Sequence, residues 1–201
     1  MHTKILLADD HSMIRKGLKL LCEWQLGFTD VQAVTSCSEL MKELAKKMYT
    51  HLVLDINLSD GSSLEVLPNI RSLYPHLQIC ILSMQPASIY SRPLKGYGIT
   101  HFISKAALEE DTIRSLRQFL QNEPSVREPS ITQSNSPFSA FTPRELEILH
   151  YMLKGIGTNE IAKALNLKWN TISTVKNRIF EKTTTTNLIE LKELATLCKV
   201  S

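Results

Sequence analysis

Two carboxylates, Asp9 and Asp10, stand side by side directly after the apolar run KILLA (4–8). Adjacent like charges repel, and neither enters an apolar interior without a partner. A third carboxylate, Asp55, closes a second apolar run in HLVLDINLSDG. Ser83 ends the run LQICILS, and Lys105 ends THFISK. If these residues meet, the three carboxylates need a cation between them. Mg²⁺ takes oxygen ligands and keeps several of its waters. Lys105 is a point charge suited to a phosphoryl oxygen, and the Ser83 hydroxyl can bond another. Asp55 is then a candidate nucleophile, because carboxylates form aspartyl-phosphates.

Those residues meet only if the elements that carry them align. Residues 1–121 alternate short apolar runs with amphipathic stretches. The strand-length runs are 4–8, 30–35, 51–56, 77–83 and 100–105, and helical patterns occupy 12–25, 38–48, 63–74 and 109–120. Such alternation predicts a parallel sheet covered by helices on both faces, and ligands of such sheets bind beyond the carboxyl ends of the strands. Each of the five candidate residues lies at that edge. Pro93 falls inside a further helical stretch, QPASIYSRPLKGYG (85–98), and predicts a short or kinked helix there. Asp60, beside Gly61, reads as turn chemistry.

Residues 1–121 resemble the receiver domain of a bacterial response regulator. The acidic pair Asp9–Asp10, DINLSDG with Asp55, the hydroxyl of Ser83 and FISK ending in Lys105 carry the resemblance. It implies a flavodoxin-like five-stranded parallel sheet of order 2-1-3-4-5. It implies Mg²⁺ held by Asp10 directly, by Asp9 mostly through water, by Asp55 and by the backbone carbonyl of Asn57. It makes Asp55 the phosphoacceptor, a phosphohistidine on a sensor histidine kinase the donor, and Ser83 with Phe102 the switch residues. The residues alone leave a magnesium-dependent phosphotransfer enzyme open as an alternative. They exclude an EF-hand, since Gly61 falls seventh in the loop and Val66 stands where a glutamate ligand is needed.

Residues 122–139, NEPSVREPSITQSNSPFS, hold three prolines and five serines and read as a linker. Beyond it the pattern is helical at short intervals. TPRELEILHYMLKG opens with Thr142, Pro143 and Glu145, a capping-box start, and Gly155 stops it. Helical stretches at 158–167, 168–183 and 187–198 follow, so 140–201 is expected to form a small all-α domain. Ile161, Ala162 and Leu165 share one helical face, and Ile172, Val175 and Ile179 share the next. The stretch FTPRELEILHYMLKGIGTNEIAKALNLKWNTISTVKNRIFEK resembles the LuxR-type helix-turn-helix of NarL/FixJ-type regulators.

That resemblance implies a recognition helix in the major groove of promoter DNA. Lys168, Trp169, Asn170, Thr171, Ser173, Thr174, Lys176, Asn177 and Arg178 are the implied contact residues. Lys168, Lys176 and Arg178 are the phosphate contacts, and Ser173, Thr174 and Asn177 approach base edges. Asn170 is the expected helix cap in place of Lys168. A protein-binding output remains an alternative for this module, and a homodimer is compatible with the active state.

Composition narrows the rest. Residues 1–121 carry 13 basic and 12 acidic side chains, whereas 140–201 carry 9 and 6, so the second segment is the better partner for a polyanion. The four cysteines are scattered with no C-x-x-C pair, which predicts reduced structural thiols. No apolar run approaches the ~18 residues of a membrane helix, and MHTKILLADD lacks signal-peptide architecture, which makes the cytoplasm the expected location.

Overall fold

The computed structural model describes residues 3–84, 94–123 and 137–197 of the chain. The helix expected around Pro93 falls largely outside these residues. The described residues belong to two compact units, 3–84 with 97–123 and 94–96 with 137–197.

In the first unit, five strands form one parallel sheet: β1 (Ile5–Ala8), β2 (Val31–Val34), β3 (His51–Asp55), β4 (Gln78–Ser83) and β5 (His101–Ser104). Their order is β2-β1-β3-β4-β5, as expected. Helices α1 (Ser12–Leu20), α2 (Cys37–Lys46), α3 (Ser63–Leu73) and α4 (Glu109–Leu120) alternate with the strands. One face of the sheet, with Ile5, Leu7, Val53, Cys80, Leu82 and Ile103, packs with Leu18 of α1 and Leu116 and Phe119 of α4. The alternate positions Leu6, Leu52, Leu54, Ile79 and Ile81 are buried too, so both faces are covered.

Three local features depart from the sequence pattern. The helix expected over 12–25 is α-helical only to Leu20 and continues as a wider π turn over Leu21–Gln25. There the Leu26 N–H donates to the Leu21 carbonyl, and Gly27, at φ +76°, ends the segment. Helix α3 tolerates Pro68 in its interior, and it buries Leu64, Leu67 and Ile70. A short hairpin, Asn57–Leu58 with Gly61–Ser62, follows β3. Asp60 lies in its turn but does more than shape it. Its carboxylate accepts the N–H groups of Cys37 (2.6 Å) and Ser38 (3.0 Å), clamping the N-terminus of α2.

The second unit holds α5 (Pro143–Leu153), α6 (Thr158–Ala164), α7 (Trp169–Thr183) and α8 (Leu188–Leu197). The capping box forms as expected: Thr142 Oγ1 accepts the Glu145 N–H at 3.3 Å, and Glu145 returns a 2.7 Å bond to the Thr142 N–H. Glu145 also receives the Lys182 ammonium at 2.7 Å, which ties the start of α5 to the end of α7. Ile161, Ala162, Leu165, Ile172, Val175 and Ile179 are all buried, with Leu191 and Ala195 of α8. Helix α7 ends at Thr184 in the left-handed region (φ +56°), a conformation a β-branched residue adopts at a cost.

His150 of α5 is buried, and its Nε2 has no hydrogen-bond partner. Burial, helped by the Lys154 charge, holds its pKa down to about 4. The unfolded chain takes up this proton near pH ~6.5, the folded chain only near 4. Stability that is complete above ~6.5 is therefore lost as pH falls towards 4. Urea unfolding followed by circular dichroism is expected to show an acid loss of roughly 3 kcal/mol attributable to His150, absent from His150→Gln.

Candidate functional site

The register of the sheet builds the site. Ala8 pairs with Leu54, so Asp9 and Asp55 emerge side by side from β1 and β3. Asp55 pairs with Leu82, and Ser83 with Ser104, which bring Ser83 and Lys105 to the same edge. The Lys105 N–H donates to the Ser83 carbonyl at 2.8 Å, fastening the end of β5 to that of β4.

At this edge the Lys105 ammonium lies 2.5 Å from Asp55 Oδ2 and 2.8 Å from Asp9 Oδ2. All three side chains are buried. Toward Asp55 the contact is a hydrogen bond, while Asp9 Oδ2 faces the ammonium without hydrogen-bonding geometry and receives no other donor. Asp9 Oδ1 accepts the His11 N–H at 2.7 Å, and the Asp9 carbonyl accepts from Arg15 at 2.7 Å. Asp10 is more exposed, and the His11 imidazole lies 2.6 Å from its Oδ1. Asp9, Asp10, His11 and Asp55 can each place a ligand atom within 4.8 Å of the others.

Burial sets the protonation of Asp55. It pushes the pKa up to about 6, against the hydrogen bond and charge of Lys105 and the Asn57 N–H, while Asp9 adds to the rise. At pH 7 the group is still mostly the carboxylate that nucleophilic chemistry requires. The Asp55 carbonyl accepts the Ser63 hydroxyl at 2.6 Å, which fixes the strand end against the start of α3.

The donor set fits a hard divalent cation. Three carboxylates against one ammonium leave two negative charges, which a doubly charged ion cancels, and oxygen donors are what Mg²⁺ selects. Asn57 opens the hairpin beside Asp55. Ser83 is buried at its strand end, and Phe102 is half-buried on β5, three residues before Lys105. His11 and Arg15 were not among the expected site residues. The only signal for them was that α1 starts immediately after the acidic pair, so its first turn must lie over the site.

In the second unit, α7 divides into stripes. Ile172, Val175 and Ile179 are buried, and Asn170, Thr174, Asn177 and Glu181 recur on the opposite, exposed side. Lys168, Thr171 and Arg178 are exposed, as is Trp169, and Ser173 is half-buried. The expected Asn170 cap does not form. Lys168 occupies the N-cap without a side-chain bond, because α7 already begins at Trp169 and places Asn170 inside the first turn. The Thr174 hydroxyl donates to the Asn170 carbonyl at 2.9 Å, so its methyl is the group left to meet a partner. Lys176 is half-buried, and its ammonium donates to Thr158 Oγ1 at 2.9 Å, joining α7 to the start of α6.

Comparison with known proteins places these two units. Residues 5–118 match the family of response regulator receiver domains, and residues 139–195 match the luxR family of bacterial regulatory proteins. BvgA of Bordetella pertussis, a positive transcription regulator of virulence factors, is 28% identical, with 97% of each chain covered. The oxygen regulatory protein NreC of Staphylococcus carnosus is 27% identical, with 96% of each covered. Among solved structures, the response regulator RcsB of Salmonella typhimurium superposes over 100% of both chains with a TM-score of 0.67 and 26% identity. RcsB of Salmonella enterica bound to promoter rprA with the phosphomimetic BeF₃⁻ gives a TM-score of 0.62 at 23% identity, over 98% of this chain and 99% of that one.

Proposed function

The chain belongs to the response-regulator receiver family and carries a luxR-family unit behind its receiver, and from that premise we propose a DNA-binding transcription regulator switched by phosphorylation of Asp55. The observation that carries this reading is the meeting of Asp9, Asp10, Asp55 and Lys105 at one sheet edge. The donor is a phosphohistidine on a sensor histidine kinase. A carboxylate oxygen of Asp55 attacks the phosphorus, the new P–O bond forms as the P–N bond breaks, and the released imidazole takes a proton. The chain thus helps catalyse its own modification without being an enzyme in the turnover sense.

Each residue has a role set by its position. Asp55 is the acceptor. Lys105, already within hydrogen-bonding distance of Asp55, neutralises a phosphoryl oxygen. Asp10, Asp9, Asp55 and the Asn57 carbonyl would hold Mg²⁺, which would supply charge withdrawal from the phosphoryl oxygens. Ser83 bonds the new phosphoryl group, and Phe102 answers by repacking. The altered receiver surface then changes domain docking or dimerisation and hence DNA affinity. Promoter DNA lies against the Asn170–Thr174–Asn177 stripe of α7. Lys168 and Arg178 take phosphates, while Lys176, engaged with Thr158, acts more through the α6–α7 joint. Among the described residues no helix is long and apolar enough to cross a membrane, and the cytoplasm fits this function.

The expected result is a hydroxylamine-labile phosphate on the chain after exposure to a phosphorylated kinase domain, together with retardation of promoter DNA. Turnover of a small phosphate ester without DNA retardation would favour a phosphotransfer enzyme instead. Retention of a protein partner without DNA would favour a protein-binding output. Asp9 is buried, with Oδ1 bonded to the His11 N–H and Oδ2 against the Lys105 ammonium, whereas Asp10 is the more exposed carboxylate and lies against the exposed His11 imidazole. Asp10→Ala is therefore expected to weaken Mg²⁺ binding about tenfold, and more than Asp9→Ala, by isothermal titration.

A further inference from the structure

We propose that Asp60 is a positioning residue of the Mg²⁺ site: by bracing the hairpin after β3 against the start of α2, it holds the Asn57 carbonyl where the ion takes it. The inference rests on reading Asp9, Asp10, Asp55 and the Asn57 carbonyl as that site. Its own support is the way the hairpin is held. Asn57 pairs with Ser62 and Leu58 with Gly61, so each strand is two residues long. A hairpin of that size does not keep its shape alone in water. Gly61, at φ +143°, lies in a region that glycine enters freely. Ser62 Oγ is buried and finds no hydrogen-bond partner among the described residues, so it adds no hold. Ser63 fixes the base of the hairpin, its N–H donating to the Ile56 carbonyl at 2.8 Å and its hydroxyl to the Asp55 carbonyl at 2.6 Å. The tip needs a separate anchor.

The loop between β2 and α2 supplies it. Asp60 Oδ1 accepts the Cys37 N–H at 2.6 Å, and Oδ2 accepts the Ser38 N–H at 3.0 Å and the Ser38 hydroxyl at 2.8 Å. The Ser59 N–H and hydroxyl donate to the Thr35 carbonyl at 3.1 Å and 3.0 Å. The charge of the carboxylate strengthens its bonds, and the N-terminus of α2 favours that charge. Thr35 is fixed in turn, since its N–H and its hydroxyl both donate to Glu39 Oε2 at 2.8 Å. The same loop reaches the acidic pair, because the Val34 carbonyl accepts the Asp9 N–H at 3.2 Å. A hydrogen-bonded path thus runs from Asp9 through 34–38 to Asp60, and along the hairpin to Asn57. It sets the spacing between the wall that carries Asp9 and Asp10 and the wall that carries Asn57.

Asn57 depends on such a brace more than the other ligands do. A carboxylate can turn about its side-chain torsions to meet an ion, whereas a backbone carbonyl moves only with its chain. Mg²⁺ demands near-octahedral geometry. Removing a residue that orients a metal ligand typically lowers affinity by about ten- to a hundredfold. The Asp60 carboxylate is turned to Cys37 and Ser38, away from the reacting atoms, so its contribution falls on cation affinity and not on the phosphoryl-transfer step.

The test compares two ways of weakening the start of α2 in the full chain. Asp60→Ala removes the brace. Ser36→Ala removes the side-chain cap of the helix, the 3.0 Å bond from the Glu39 N–H to Ser36 Oγ, and leaves the brace in place. Urea unfolding should show both variants less stable than wild type. Isothermal titration with Mg²⁺ should separate them, with Kd about tenfold higher in Asp60→Ala and within about twofold of wild type in Ser36→Ala. At saturating Mg²⁺, labelling of Asp60→Ala by acetyl phosphate should return to within about twofold of wild type. Asp60→Asn, which keeps one acceptor oxygen, should fall between, and it carries the comparison if Asp60→Ala does not fold. An unchanged Mg²⁺ Kd in the Asp60 variants, or an equal rise in Ser36→Ala, would overturn the inference and leave the cation site standing. Labelling that stays low at saturating Mg²⁺ would put Asp60 in the chemical step and overturn it too. Wild type that binds no Mg²⁺ would overturn the cation-site reading itself.

Discussion

Asp55→Asn is expected to reduce phosphorylation by acetyl phosphate or a kinase domain by more than a hundredfold, to background. The substitution keeps the shape of the side chain and removes the charged nucleophile at the end of β3. The remaining acids of the cluster are poorly placed to replace it. Asp9 is buried and already holds the His11 N–H, and Asp10 stands one residue further out. Loss of labelling through misfolding is separable. Burial raises the Asp55 pKa to about 6, so its ionised form is disfavoured in the folded state. That penalty grows as pH rises from ~3.9 toward 6 and is constant above. At pH 7 the neutral asparagine avoids it, so the variant should unfold at no lower urea concentration than wild type. A variant that labels to the same extent would refute the assignment of Asp55.

The second large effect concerns DNA. Lys168→Ala/Arg178→Ala is expected to weaken promoter binding at least tenfold at physiological salt and to flatten the dependence of log K on log salt by about two. Both side chains are exposed at the flanks of the α7 stripe, where they cost nothing to the core when truncated. Asn177→Ala should behave differently. It lies on the exposed stripe opposite Ile172, Val175 and Ile179, and an asparagine pairs bidentately with adenine. Its loss should narrow the gap between promoter and unrelated DNA by roughly 1–3 kcal/mol while leaving the salt slope alone. Fluorescence anisotropy against both DNAs across a salt series distinguishes the two patterns.

The sheet was legible in the sequence because its signals agree. The central strands are near-continuous apolar runs, each connection is long enough for a helix, and the chemical residues terminate the runs. A parallel register then has to bring Asp9, Asp55, Ser83 and Lys105 to one edge, as the pairing of Ala8 with Leu54 and of Ser83 with Ser104 does. The capping box at Thr142 and Glu145 was legible for a similar reason, being purely local.

What escaped the sequence depends on contacts between distant residues. Nothing in SDG announces that Asp60 would cap α2 more than twenty residues earlier in the chain. Pro68 ought to disturb a helix, yet the burial of Leu64, Leu67 and Ile70 outweighs the lost hydrogen bond. The π turn at 21–25 keeps the same apolar spacing as an α-helix over so few residues that periodicity cannot separate them. His11 carries no signal of its own in the sequence, and the start of α1 turns its nitrogen onto Asp9 and Asp10. Lys176 reads as one more basic residue of a recognition helix, and its bond to Thr158 exists only because α6 packs alongside.

The central claim is that phosphorylation of Asp55 controls DNA binding by the luxR-family unit. The most direct measurement is the promoter affinity of the full chain with and without Mg²⁺ and BeF₃⁻, a mimic of the phosphoryl group, in wild type and Asp55→Asn. The expected result is at least a fivefold change in Kd for wild type on adding the mimic, and none for Asp55→Asn. Identical isotherms for wild type with and without the mimic, at concentrations where the mimic is shown to be bound, would contradict it.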